Sequence, residues 1–115
     1  MTNLIDQYSA QIEHFIAQSK ADKQIWGLRA EDGWLSCESE HQPKEVMPFW
    51  SSQDKASAHV IDEWSDFEVI EIPLDIFVED WLLTFDEEDV LIALDWDEQL
   101  EGAEMPAAQL ASLYK

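Results

Sequence analysis

The sequence predicts an α+β fold: one domain in which a small, mostly antiparallel sheet packs with three to four helices. Three observations lead there. Apolar residues recur at helical spacing near both ends and in the middle of the chain, short apolar segments bounded by turn residues alternate with those stretches, and 115 residues are too few for two independent cores.

The elements follow in order. Leu4, Ile5, Tyr8, Ile12, Phe15 and Ile16 recur at steps of one, three and four, which predicts an amphipathic helix from about Asn3 to Lys20. Asn3 serves as its N-cap, and Lys20 and Lys23 suit the negative end of its dipole. Gln24 to Arg29 and Trp34 to Glu38 flank an Asp-Gly turn and predict a hairpin, with Trp26 and Trp34 expected to pair across it. Val46 to Trp50 is a third strand, and Pro48 places it at an edge or makes it a strand end. Ser51 to Asp54 starts a helix that continues through Val60. Phe67 to Ile72 alternates apolar and acidic residues, as a half-exposed strand does. Pro73 opens the clearest helix, with Leu74, Phe77, Val78, Trp81, Leu82 and Phe85 on one stripe. An acidic loop, Asp86 to Asp89, leads to the unbroken apolar run Val90 to Leu94, a central strand covered on both faces. Pro106 to Tyr114 is a short helix with Leu110 and Leu113 facing inward.

Charge bounds the function. Twenty-six acids face six bases, a formal net charge of -20. Residues 1–55 hold nine acids and five bases, whereas residues 56–115 hold seventeen acids and only Lys115. An ionised carboxylate is almost never buried unpaired, so the acids of the second half are expected on the surface. Their field repels DNA, RNA and anionic lipid and attracts cations or basic proteins, which argues against direct nucleic-acid or membrane binding. No run of about 18 apolar residues suggests a membrane span, and Met1 to Gln7 lacks the features of a secretory signal. With Cys37 as the single cysteine, no intramolecular disulfide can form, and a cytoplasmic location is expected.

Several segments occur in the order of one bacterial family: Ile25-Trp26-Gly27-Leu28, Gly33-Trp34, Val46-Met47-Pro48-Phe49-Trp50, Asp62-Glu63-Trp64, Glu71-Ile72-Pro73-Leu74 and Asp95-Trp96-Asp97. On these the chain resembles the domain of unknown function 2750 family over roughly residues 8–113. The Trp-Gly-Leu and Pro-Phe-Trp segments carry most of the likeness. The resemblance implies a small bacterial cytosolic protein and transfers no catalytic residue, ligand or cofactor.

Candidate sites divide into metal, nucleophile and aromatic classes. His59, Asp62 and Glu63 lie within one helical turn and could offer an imidazole and two carboxylates to zinc or manganese, although such a stretch arises easily in so acidic a chain. Asp86 to Asp89 and Asp95 to Glu98 are oxygen-rich but lack the spacing and turn glycine of a calcium loop. No glycine-rich phosphate cradle accompanies the Asp95-Trp96-Asp97 pair of carboxylates, and no cofactor is implied. Cys37 precedes Glu38 and Glu40, whose charges would suppress its thiolate. Trp50, Trp64 and Trp96 each end an apolar segment beside acids, with Asp95 and Asp97 flanking the last. Such residues either line a groove for a basic or aromatic partner, or cap the core with the indole N–H bonded to a carbonyl or carboxylate.

The function expected from these readings is non-enzymatic: a small acidic protein that binds a basic protein partner as an adaptor, as an inhibitor or immunity-like protein, or as a mimic of nucleic-acid charge. The competing expectation is a small metal-binding protein or enzyme centred on His59, Asp62 and Glu63.

Overall fold

Ile12 and Phe15 turn one face of helix α1 (Ser9–Asp22) into the interior, and Ser19 closes that stripe by donating its hydroxyl to the Ile16 carbonyl at 3.0 Å. The computed structural model describes residues 9–31, 33–39, 44–61, 64–97 and 102–114. The predicted start of α1 at Asn3 therefore lies outside the described residues. Lys23, at a positive φ of 59°, ends the helix and releases the chain into strand β1 (Gln24–Ala30).

β1 turns into β2 (Gly33–Trp34) through the predicted hairpin, where Gly33 takes a φ of 135° that a side chain would resist. The second hairpin strand is shorter than expected. After Leu35 donates its N–H to Leu28, the chain crosses to another sheet, where β3 (Cys37–Glu38) pairs with β4 (Glu45–Phe49). Helix α2 (Gln53–Ser57) follows, with the Ser52 hydroxyl capping the Lys55 N–H at 3.2 Å. β5 (Glu68–Pro73) then runs antiparallel to β1.

Helix α3 covers residues 74–87. It is α-helical over Leu74–Ile76 and Leu82–Glu87, with one wider π turn at Phe77–Trp81 that the apolar spacing did not anticipate. Its end is well defined: Asp89 takes a φ of 59°, its N–H returns to the Asp86 carbonyl, and Val90 N–H bonds Phe85 O at 3.0 Å. Asp86 and Glu87 thus finish a helix, and the acidic loop shrinks to a turn. β6 (Leu91–Leu94), β7 (Ala103–Pro106) and helix α4 (Ala107–Leu113) complete the chain.

The strands form two small sheets, β2-β1-β5 and β3-β4-β6-β7, mostly antiparallel within a single α+β domain. β4 and β6 are the parallel exception. The sheets join at one bridge, where Trp26 and Trp50 exchange backbone hydrogen bonds of 2.9 and 2.8 Å. β6 is central, and its alternation is clean: Ile92 and Leu94 enter a core with α1, α3 and α4, while Leu91 and Ala93 enter a second core with Trp50, Trp96 and Ala56.

Four expectations are corrected. Pro48 sits inside central strand β4, opposite Ala93. It is tolerated because the β3 ladder covers only Glu45 and Val46, so Pro48 faces a side on which β3 has already ended. Trp26 and Trp34 do not pair, because the register sets Trp34 opposite Arg29 and thus on the other face of β1 from Trp26. Leu113 is 41% exposed, since Ala107, Leu110, Ala111 and Tyr114 share the inner face of α4 and Leu113 falls on its flank. Among the described acids of the second half, Asp95 and Glu104 are buried; each has a hydroxyl partner, and the Ser39 hydroxyl meets Glu104 at 2.6 Å. Glu104 lies on β7, a strand absent from the sequence reading because Ala-Glu-Met-Pro carries no β-branched residue.

Candidate functional site

The carboxyl ends of the parallel strands β4 and β6 lie side by side, and from them emerge Trp50-Ser51 and Asp95-Trp96. Asp95 N–H extends the parallel ladder to Phe49 O at 2.9 Å, after which Asp95 adopts a φ of 51°. Aspartate tolerates that left-handed conformation better than most residues. Its buried carboxylate accepts from the Ser51 N–H at 2.7 Å and from the Ser51 hydroxyl at 2.9 and 3.1 Å, and Lys55 reaches it from α2 at 3.5 Å. Two hydrogen-bond donors and a cation offset the desolvation of this carboxylate. Gln11 adds a tie from α1, donating to Asp95 O and accepting from Ala103 N, both at 3.1 Å.

Above this knot the Trp50 indole, 0% exposed, donates Nε1–H to the Trp96 carbonyl at 3.0 Å. His59 Nε2 lies 3.0 Å from the same oxygen. A carbonyl only accepts, so Nε2 carries the proton and offers no lone pair in that direction. The imidazole packs on Trp50 at 4.8 Å and approaches Trp64 at 6.0 Å between centroids. A hydrolytic relay needs an imidazole between hydroxyl and carboxylate. Here the carboxylate holds the serine directly and the imidazole is turned onto a carbonyl, so the geometry fastens strand ends together.

The structure therefore brings Trp50, Trp96, Asp95 and His59 together, facing inward, with Trp64 packed against them and half-buried. Trp50 and Trp96 are buried and cannot serve as surface anchors; the topology folds the ends of β4 and β6 beneath α2. Trp50 follows the alternative, an indole capping the core through a carbonyl. Trp64 is half-buried on the same cluster, and Asp97 is exposed. Asp62 and Glu63 lie outside the described residues, and among those described no group of three His, Cys, Asp or Glu side chains is placed to hold a metal ion. The Trp96 indole N–H is buried with no partner among the described residues, close to Gly102, where an added Cβ would stand 3.0 Å from Trp96 Cδ1. Burial pushes the Cys37 thiol up, with the Glu104 carboxylate adding to it. The direction matches the sequence reading, but the charge responsible belongs to β7 rather than to Glu38.

On the opposite face of β1 Trp34 and Trp81 stay half-buried over a buried cluster of Phe49, Phe77 and Phe85. Trp34 meets Trp81 edge-on at 4.9 Å, with Arg29 stacked over the Trp34 ring at 5.5 Å. Phe49 lies at the centre of a ring cluster, 5.0 Å from Phe77 and about 6 Å from Trp81 and Phe85. Gly27 permits this closeness, since a Cβ there would come within 3.0 Å of the Trp34 ring and 3.2 Å of Phe49. Between β2, β4 and α3 runs an apolar groove of about 290 Å³, lined by Trp34, Met47, Asp80, Trp81, Thr84 and Phe85. Sequence reasoning assigned Trp81 and Phe85 to the core and missed the groove, because Trp34 reaches it only through the β1–β2 register.

The family described as "Protein of unknown function (DUF2750)" matches residues 12–113, nearly all of the chain. The chain belongs to the DUF2750 family. This agrees with the resemblance carried by the Trp-Gly-Leu and Pro-Phe-Trp segments, which form β1 and the end of β4. Comparison of this DUF2750 chain with curated proteins gives no match. Among solved structures it is similar to "Anabaena Tic22 (protein transport)", with 17% identity and a TM-score of 0.45, over 86% of this chain and 49% of that one. The DUF2750 chain thus spans about half the length of that solved chain. No helix among the described residues is long and apolar enough to cross a membrane.

Proposed function

We propose that this DUF2750 protein is a non-enzymatic, cytoplasmic binding module that recognises a protein with a basic surface, acting as an adaptor or as an inhibitor. The observation that carries this reading is the fate of the second half's acids. Of the thirteen described between residues 56 and 114, eleven are exposed, and no lysine or arginine lies in that span. The cations that approach this half come from the first: Lys44 reaches Asp89 at 2.9 Å and Lys55 reaches buried Asp95. A surface so short of counter-charge speeds encounter with a basic protein and disfavours acidic ones.

Affinity capture with the full chain at low and high salt tests the reading. A basic protein retained at low salt and released at high salt is expected, because screening shortens the reach of exposed charges. Recovery of no basic partner at low salt would overturn it. Displacement of that partner by duplex DNA would assign it to the nucleic-acid mimic form.

A further inference from the structure

We infer that the groove between β2, β4 and α3 is where the basic partner inserts an apolar side chain, with an adjacent lysine or arginine of that partner on Asp80. This deepens the proposed function and rests on it. At about 290 Å³ the groove is at the small end for cofactors and drug-sized ligands, which occupy about 300–1,000 Å³, and it suits one protruding side chain. Its walls are the edge-on pair Trp34 and Trp81, with Met47 and Phe85 forming the apolar floor. Tryptophans held half-open in this way are the residues that most often anchor interfaces.

The charge around the groove selects the occupant. Among the described residues Asp80 is the one charged residue lining it, and it is exposed, while the Arg29 guanidinium lies over the Trp34 ring at 5.5 Å. α3 itself carries no base, and exposed Glu87 lies one turn beyond Thr84, whereas Asp75 and Glu79 line a separate pocket with Lys20 and Lys23. An apolar slot on an acidic helix is complementary to a basic segment with an apolar side chain at its centre. The π turn at Phe77–Trp81 lies in this wall, and such turns recur at functional positions.

The test uses two short synthetic peptides, each with paired lysines on both sides of a central residue, leucine in one and serine in the other. Binding to the full chain is followed by the indole signals of Trp34 and Trp81 in proton–nitrogen NMR. The leucine peptide is expected to shift both signals and to bind more tightly than the serine peptide. Thr84→Trp, which fills the slot from an exposed position, should weaken the leucine peptide about tenfold, the loss typical of one interface anchor, and leave the serine peptide unchanged. Asp80→Lys is the second variant and should weaken the leucine peptide without altering the groove's apolar walls. If both peptides bind equally and neither variant separates them, the groove inference is overturned while charge-based recognition stands. If neither peptide binds even at low salt, recognition of basic segments fails as a whole.

Discussion

Two tryptophan clusters, built from similar sequence, have opposite fates. Trp50 and Trp96 gather with His59 over the buried Asp95 carboxylate, closed beneath α2, with half-buried Trp64 at the edge of the cluster. Trp34 and Trp81 meet across the other face of β1 and stay half-open above Met47 and Phe85. Each cluster has an aspartate beside it, Asp95 in the first and Asp80 in the second. In the first, the parallel pairing of β4 and β6 brings two strand ends together, and the chain must satisfy the polar groups trapped there. In the second, an antiparallel hairpin lies beside a helix, and no described residue covers the gap. Tryptophan beside acid is thus an ambiguous sign, and the strand topology decides between a capped core and an open slot.

The largest effect expected from breaking this contrast is on stability. Trp50→Ala should cost about 3–5 kcal/mol, through the cavity and the lost bond to the Trp96 carbonyl. Trp34→Ala should cost roughly half as much, because its ring is only partly removed from water. Urea unfolding of both variants checks the ordering, and equal losses would erase the distinction between closed and open clusters. Next comes the carboxylate beneath the closed cluster. Asp95→Ala strands the buried Ser51 N–H and hydroxyl and leaves Lys55 without its partner, for an expected loss of about 2–3 kcal/mol. Asp95→Asn keeps an acceptor and tolerates the φ of 51°, so it should recover part of that loss; denaturation midpoints that fail to separate the two would show that the hydrogen bonds contribute little.

The smallest effect concerns Tyr114, which closes α4 onto α1 through a 2.8 Å bond to Ser19. Burial pushes its phenol up from 10.0 to about 12, partly offset by that bond and aided by the Asp95 charge. The unfolded chain therefore ionises first, and stability present below about pH 10 is lost as pH rises toward about 12. Tyr114→Phe should flatten that alkaline loss relative to the native chain, measured as unfolding free energy against pH. Identical alkaline profiles would place the phenol in water.

The fold was readable wherever local periodicity and burial agree. The half-exposed β5 and the two-faced β6 stand as their spacing implies, the α3 stripe holds from Leu74 to Phe85 apart from its π turn, and the hairpin forms at Gly33 with a shorter second strand. β7 was hidden because its residues lack strand preference and owe their place to pairing with β6. The site was less legible. Asp95, Trp50 and Trp96 could be named from sequence, yet not whether they face solvent, and Ser51 and Lys55 gave no sign of converging on Asp95.

Composition alone fixed the acidic surface, since six bases cannot neutralise twenty-six acids, and local patterning fixed the main helices and strands. Only the tertiary structure decided which acids are buried, which indoles are sealed and where a slot remains open. Those outcomes depend on contacts between residues far apart in the chain, such as Ser51 with Asp95 and Trp34 with Trp81, and no local pattern encodes that geometry.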